Sequence, residues 1–304
     1  MCWRSVTITR STIVTSWGST EQGDRERTIR PSRRHRRLIA ALALTGALAA
    51  VAFPVQAAAG PRAGASVVGG GAADPGQWPF AVAIFRKNRL HCGGSVIAPA
   101  RVLTAAHCVN RFNLSNFRVI VGRPNLRNRS VGEEIAVASG RVHPDFEQTA
   151  LHDVAVLNLT QPTSVPPVAL ATPAESAAVT GVGSALRVAG YGATRPFGTR
   201  FSPFLKSTLE SVRNDRRCLK AYTRDLFAPE SMICALGARR KKGGRFKVHT
   251  SACAGDSGGP LVADTPSGPI EVGTVSFGGA LCGLSAAPSV YSRVASSLDF
   301  INAG

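Results

Sequence analysis

The chain is short of aromatic residues, of acidic residues and of long apolar runs, and each shortage excludes something. Aromatics make up 6% of the 304 residues, against 31 Gly and 19 Pro. That balance disfavours long helices and favours short strands joined by turns. Acidic residues number 18 against 36 basic ones, for a formal net charge of +18. The basic residues form no motif interleaved with aromatics, so nucleic acid is not an expected partner. No self-similarity recurs at a period of about 34 or 40 residues, which excludes a solenoid. No C-x-x-C pair is present, so nothing in the cysteine spacing points to zinc. The longest apolar run, Leu38 to Phe53, has 16 residues. A membrane-spanning helix needs about 20, so no stable membrane anchor is expected.

That apolar run has a specific setting. It follows the basic cluster "RRHRR" (Arg33 to Arg37) and precedes the small-x-small triplet Val55-Gln56-Ala57. Basic, apolar, small is the order of a secretory signal. Residues 1–57 are therefore expected to be an export region, 58–66 a short propeptide, and 67–304 the working domain, secreted to the extracellular space. Met1 is the only Met of the leader, so a start at a downstream codon fits the length. Six of the basic residues are Lys and 30 are Arg, a usage that points to a GC-rich bacterial gene. Ten basic and three acidic residues lie in 1–66, so residues 67–304 keep +11 of the net charge.

Seven cysteines are present. Cys2 lies in the leader. The other six are Cys92, Cys108, Cys218, Cys234, Cys253 and Cys282. An even count in an exported chain reads as three disulfides, and spacing alone leaves about 15 pairings open.

From Val67 onward the texture is one of short apolar or alternating runs. "FAVAIF" (80–85), "GGSVIA" (93–98), "RVLTAA" (101–106), "FRVIVG" (117–122), "EEIAVAS" (133–139), "VAVLNL" (154–159), "LRVAGYG" (186–192), "PLVAD" (260–264) and "EVGTVSFG" (271–278) all read as strands. Regular short strands with Gly and Pro between them imply an all-β antiparallel barrel or sandwich. "TPAESAAVTGVGS" (172–184) is a turn-rich joint between two halves. A short helix closes the chain near 295–301.

Three stretches carry chemistry. "LTAAHC" puts His107 at the end of an apolar strand. "HDVAVLNL" puts Asp153 at the head of another. "TSACAGDSGGP" (250–260) supplies Ser257 beside Asp256. A serine hydroxyl is a poor nucleophile at neutral pH. It needs a base within hydrogen-bond reach, and the base needs a partner that fixes its tautomer. Gly255 permits a backbone in which the amides of Gly255 and Ser257 converge on a developing oxyanion.

These motifs, in the order His, Asp, Ser, resemble the trypsin/chymotrypsin family of serine proteases. "VVGG" (Val67 to Gly70) followed by "WPFAV" strengthens the resemblance, which covers essentially all of 67–304. It implies two six-stranded antiparallel β-barrels, about 67–180 and 181–304, with a catalytic cleft between them. It implies Ser257 as nucleophile, His107 as general base, Asp153 as its orienter, and the Gly255 and Ser257 amides as oxyanion hole. Ser276 would support Asp153, and Ser276 to Gly278 would pair with substrate backbone. It selects the pairing Cys92–Cys108, Cys218–Cys234 and Cys253–Cys282. It also gives Asp256 a role outside catalysis: a buried partner for the amine freed at Val67 when a zymogen is cut.

The departures from the family pattern set further expectations. The position where trypsins carry an acidic pocket floor is Ser251. Ser289 stands on a wall that is often glycine, and Phe277 and Gly278 flank the mouth. Those residues predict cleavage after apolar side chains rather than Arg or Lys. The family's calcium loop holds Arg123 and "RPNLRNR", so no metal is expected there. No cofactor is implied. Between Cys234 and Cys253 lie six basic residues, Arg239, Arg240, Lys241, Lys242, Arg245 and Lys247. They read as a solvated loop or as a contact for polyanions. The expected partners are protein or peptide substrates, and the expected state is a monomer.

Two other functions compete. One is a catalytically weak, cationic binding protein of the same fold acting on anionic surfaces. It would normally lack a member of the triad. The other is an α/β-hydrolase esterase, which needs G-x-S-x-G and the chain order Ser, Asp, His. Neither pattern is present.

Overall fold

The computed structural model describes residues 67–304, except 147–150, 197, 199, 243–245, 285–286 and 304. The expected export region and propeptide lie outside the described residues. So does part of the basic segment.

Two closed antiparallel barrels of six strands make up the domain. The first runs, in neighbour order, Ala81–Arg86, Arg89–Ala98, Arg101–Thr104, Ala155–Leu159, Glu133–Val142, Phe117–Val121 and back to the start. Aliphatic side chains at alternate positions fill it: Val82, Ile84, Val96, Val102, Val119, Val121, Ile135 and Leu157 are all buried. Alternation puts successive side chains on opposite faces of the sheet, and the inward set becomes the core. At about 25 cal/mol per Å² of buried apolar surface, each such side chain contributes about 1.5–3 kcal/mol.

The second barrel runs Ala185–Gly190, Lys206–Val212, Met232–Gly237, Ser289–Arg293, Gly268–Phe277, Pro260–Thr265 and back. Leu186, Val188, Ile233, Leu261, Val272 and Tyr291 fill its interior. A two-stranded hairpin, Arg239–Lys242 with Phe246–His249, stands apart from both barrels. The chain closes with the short helix Leu298–Asn302.

Two elements differ from the sequence expectation. The joint at 172–184 contains a helix, Pro173–Val179, in place of turns throughout. A reciprocal capping box starts it: Glu175 N donates to Thr172 Oγ1, and Thr172 N donates to Glu175 Oε2. Three barrel strands, Lys206–Val212, Met232–Gly237 and Ser289–Arg293, had no strong signal. "KSTLESV" mixes polar residues on both faces, and Glu210 is buried where alternation would place an apolar residue.

The barrels meet through backbone and side chains. Gly93 N of the first donates to Ser257 O of the second at 2.7 Å. Ser95 Oγ donates to Glu271 Oε2 across the same junction. Among the described residues, no helix is long and apolar enough to cross a membrane.

Candidate active site

His107 lies in the single helical turn Ala106–Val109, which follows strand Arg101–Thr104. The turn is pinned by the disulfide Cys92–Cys108. Cys92, His107 and Cys108 lie close enough to suggest a metal site. Both sulfurs are consumed in the disulfide, so they offer no thiolate.

Asp153 is buried just before strand Ala155–Leu159. His152 takes φ +52°, and Val154 N donates to His152 O at 2.7 Å, so the chain turns tightly there. The His152 ring stacks on His143 with centroids 4.7 Å apart. This turn directs the carboxylate at the histidine. His107 Nδ1 lies 2.7 Å from Asp153 Oδ2, and His107 N donates to Oδ1 at 2.9 Å. Ser276 Oγ donates to Oδ2 at 2.6 Å. A buried carboxylate with three donors is held in one orientation and in turn holds the ring.

Ser257 sits on the glycine turn between Cys253 and strand Pro260–Thr265. Asp256 N donates to Cys253 O at 2.9 Å and Gly259 N to Asp256 O at 2.8 Å, which closes the turn. Gly255 has φ +91°, a region that side chains disfavour. A Cβ there would also meet the Phe201 ring at 2.9 Å. Neither the Gly255 nor the Ser257 amide donates to another described residue. Cys108 Sγ lies 3.7 Å from Ser257 O, so the serine and histidine segments are in contact. Among the described residues, His107 Nε2 makes no hydrogen bond to Ser257 Oγ; it lies 3.7 Å from Cys108 Sγ. Such bonds are commonly long without substrate and tighten in the complex.

Asp256 is completely buried. Gly192 N donates to its Oδ1 at 2.7 Å and Cys253 N to its Oδ2 at 2.9 Å. A Cβ on Gly190 would fall 2.0 Å from Oδ1, and one on Gly192 2.5 Å from Cγ. The "AGYG" stretch is thus a cradle for this carboxyl, a role that only its spatial neighbour reveals. Burial raises the Asp256 pKa to about 7, against the two amide donors. Val67 and Val68 are buried, and Val68 bridges Ser251, whose amide donates to Val68 O at 3.2 Å.

Ser251 and Ser289 are adjacent, with hydroxyls 3.3 Å apart. Phe277 stacks edge-on against Tyr222, centroids 5.2 Å apart, and Tyr222 Oη donates to Pro288 O. A Cβ on Gly278 would meet Ser289 Cα at 3.8 Å, so Gly278 lies against Ser289. The disulfides Cys253–Cys282 and Cys218–Cys234 brace its surroundings. Arg123 fills the loop considered for calcium: it is buried, and its Nε donates to Val131 O at 2.8 Å.

Two six-stranded barrels, with an aspartate–histidine couple from one facing a serine on a glycine turn of the other, define the double-barrel class of serine proteases. The family model described as "Trypsin" matches residues 67–301. The chain belongs to the trypsin family. It is 35% identical to "Kallikrein-15" of Saguinus oedipus over 241 residues, 75% of this chain and 86% of that protein. It is 32% identical to "Trypsin" of Saccharopolyspora erythraea over 244 residues, 78% of this chain and 99% of that protein. "Glucanase inhibitor protein 3" of Phytophthora infestans is 35% identical over 216 residues, 69% of this chain and 76% of that protein.

Proposed function

We propose that the chain is a secreted serine endopeptidase acting through an acyl-enzyme on Ser257. The observation that carries this is the buried Asp153, bonded to His107 Nδ1 at 2.7 Å beside the Ser257 turn. Asp153 keeps Nδ1 protonated, which leaves Nε2 as the base. Ser257 Oγ attacks the scissile carbonyl carbon as its proton passes to Nε2. The Gly255 and Ser257 amides receive the oxyanion. The imidazolium then protonates the leaving amine, and the C–N bond breaks. Water, deprotonated by His107, hydrolyses the acyl-serine and returns the site. Purified Ser257→Ala that retains full peptidase activity sinks this reading. Export is supported by the leader pattern and by three disulfides, which persist in oxidising compartments.

Activation belongs to the same reading. Cleavage after Ser66 frees the Val67 amine, which pairs with Asp256. Ser66 is not basic, so a protease tolerant of small residues makes the cut. A free α-amino group has a pKa of about 7.7–8.0, and a carboxylate partner raises it. The stabilisation is complete below the unpaired value and is lost as pH rises through the paired one, which gives an alkaline limit to activity.

On Ser251, Ser289, Phe277 and Gly278 alone, the pocket takes apolar side chains. A buried carboxyl behind Ser289 changes that reading. The binding-protein alternative draws on the name of the inhibitor relative and on the basic hairpin. His107, Asp153 and Ser257 together favour the enzyme.

A further inference from the structure

Glu210 lies in strand Lys206–Val212, with its backbone paired to Leu186 on one side and Gly237 on the other. It is 1% exposed. Its Oε1 accepts from Ser289 Oγ at 3.1 Å and from Ala252 N at 3.1 Å. Its Oε2 makes no hydrogen bond of normal geometry among the described residues, although the Tyr291 hydroxyl acts on the carboxyl as a donor, and no described cation pairs with it. The groups acting on it are acids or hydroxyls: Asp256, Tyr222 and Tyr291. Burial raises its pKa to about 7.

The hydroxyls in front of it are polarised by this arrangement. Ser289 Oγ donates its hydrogen to Glu210, and Ser251 Oγ donates to Ala252 O at 2.7 Å. The two hydroxyls also touch at 3.3 Å. Two hydrogens serve three contacts, so the outward side of both oxygens offers lone pairs only. A floor of acceptors backed by an unneutralised carboxyl is poorly matched to an apolar side chain, because its polar groups would be left unpaired. It is well matched to an ammonium or guanidinium, which brings donors and a charge.

We propose that Glu210 is the specificity-determining acid of this protein, so that it cleaves after Lys or Arg. The inference rests on the endopeptidase reading, in which Ser251 and Ser289 form the floor of the substrate pocket. The cation sits on the two hydroxyls, and Glu210 ionises behind them as its counter-ion. Sequence alone hid this. Glu210 lies 41 positions before Ser251 and far from every motif.

The test uses the full chain cleaved after Ser66, with peptides that differ only in the residue before the cut. The expected wild-type kcat/KM for Lys or Arg exceeds that for Leu or Phe by about 10²-fold or more. Glu210→Gln is expected to remove most of that ratio by lowering kcat/KM for Lys and Arg, with fluorophosphonate labelling of Ser257 read alongside as the check that the variant is folded. Benzamidine, an aryl amidinium, supplies a second arm that needs no variant. Calorimetry on wild-type protein is expected to show binding that strengthens from pH 6 to pH 8 as the carboxyl ionises. A labelled wild-type enzyme that prefers Leu or Phe, or that does not bind benzamidine, overturns the role of Glu210 and leaves the endopeptidase reading standing. A folded Gln variant with an unchanged Lys and Arg preference does the same. Failure of the wild-type protein to label overturns both.

Discussion

The first barrel closes on aliphatic side chains, and its buried carboxyl, Asp153, is bonded to His107 and Ser276. The second barrel buries three carboxyls, Glu210, Asp256 and Glu271, and none is in an ion pair among the described residues. Burial raises their pKa values to about 7, 7 and 8. One barrel therefore buries a carboxylate bonded to a histidine, and the other buries carboxyls that have hydrogen-bond donors but no cation beside them among the described residues. Isolated buried charge is costly, so burial favours the protonated form of each, and a cation beside it would favour the ionised one. In this account the Val67 amine arrives for Asp256 and the substrate for Glu210. Among the described residues, Glu271 has only the Ser95 hydroxyl as a hydrogen-bond donor.

The largest effect comes from removing the proposed nucleophile and base, one from each barrel. Ser257→Ala and His107→Ala are each expected to lower kcat by about 10⁴–10⁶ in a peptide-cleavage assay. Retained activity in either would remove the distinction between the barrels. Next comes Asp256→Asn. It keeps the volume but removes the charge proposed to hold the Val67 amine, on which the proposed oxyanion hole depends. A fall of about 10²-fold or more in kcat is expected, with the His107–Asp153 couple intact. Normal turnover would mean that Asp256 needs no partner.

Glu271→Gln tests the stored acid through stability. A folded pKa above the ordinary carboxylate value means that the folded state holds the proton longer, so wild-type stability falls as pH rises from about 4.5 to 8. The Gln variant should match wild type near pH 4.5 and exceed it by several kcal/mol at pH 8.5, read from denaturant titrations. Equal stability at both pH values would show that the Glu271 carboxyl carries no burial penalty.

The smallest expected effect concerns the basic hairpin. Six basic residues fall within positions 239–247 of the sequence, a concentration of positive charge that suits a polyanion. Replacing the six basic residues of 239–247 is expected to abolish salt-sensitive binding to heparin and to leave small-substrate turnover within about two-fold. Salt-insensitive binding, or none, makes the hairpin a solvated loop.

The fold was legible because most of its strands obey local rules. Alternating apolar runs marked most of the first barrel, and "LTAAHC", "HDVAVL" and "GDSGGP" carried their chemistry in a few consecutive residues. Glu210, Gly190 and Gly192 were not legible, because what they do depends on side chains that meet only in space. Strand Lys206–Val212 lacked a signal for the same reason: its buried Glu210 breaks the alternation that a strand reading needs. The Pro173–Val179 helix was hidden in small residues, although its Thr172/Glu175 cap was written in the sequence.

The central claim is that Ser257 becomes a nucleophile when the second barrel gains the Val67 amine. It is tested most directly by fluorophosphonate labelling of two forms, one cleaved after Ser66 and one made uncleavable there. The account predicts rapid labelling at Ser257 in the cleaved form and a rate lower by about 10²-fold or more in the other. Equal labelling of both forms, or none of the cleaved one, would contradict it.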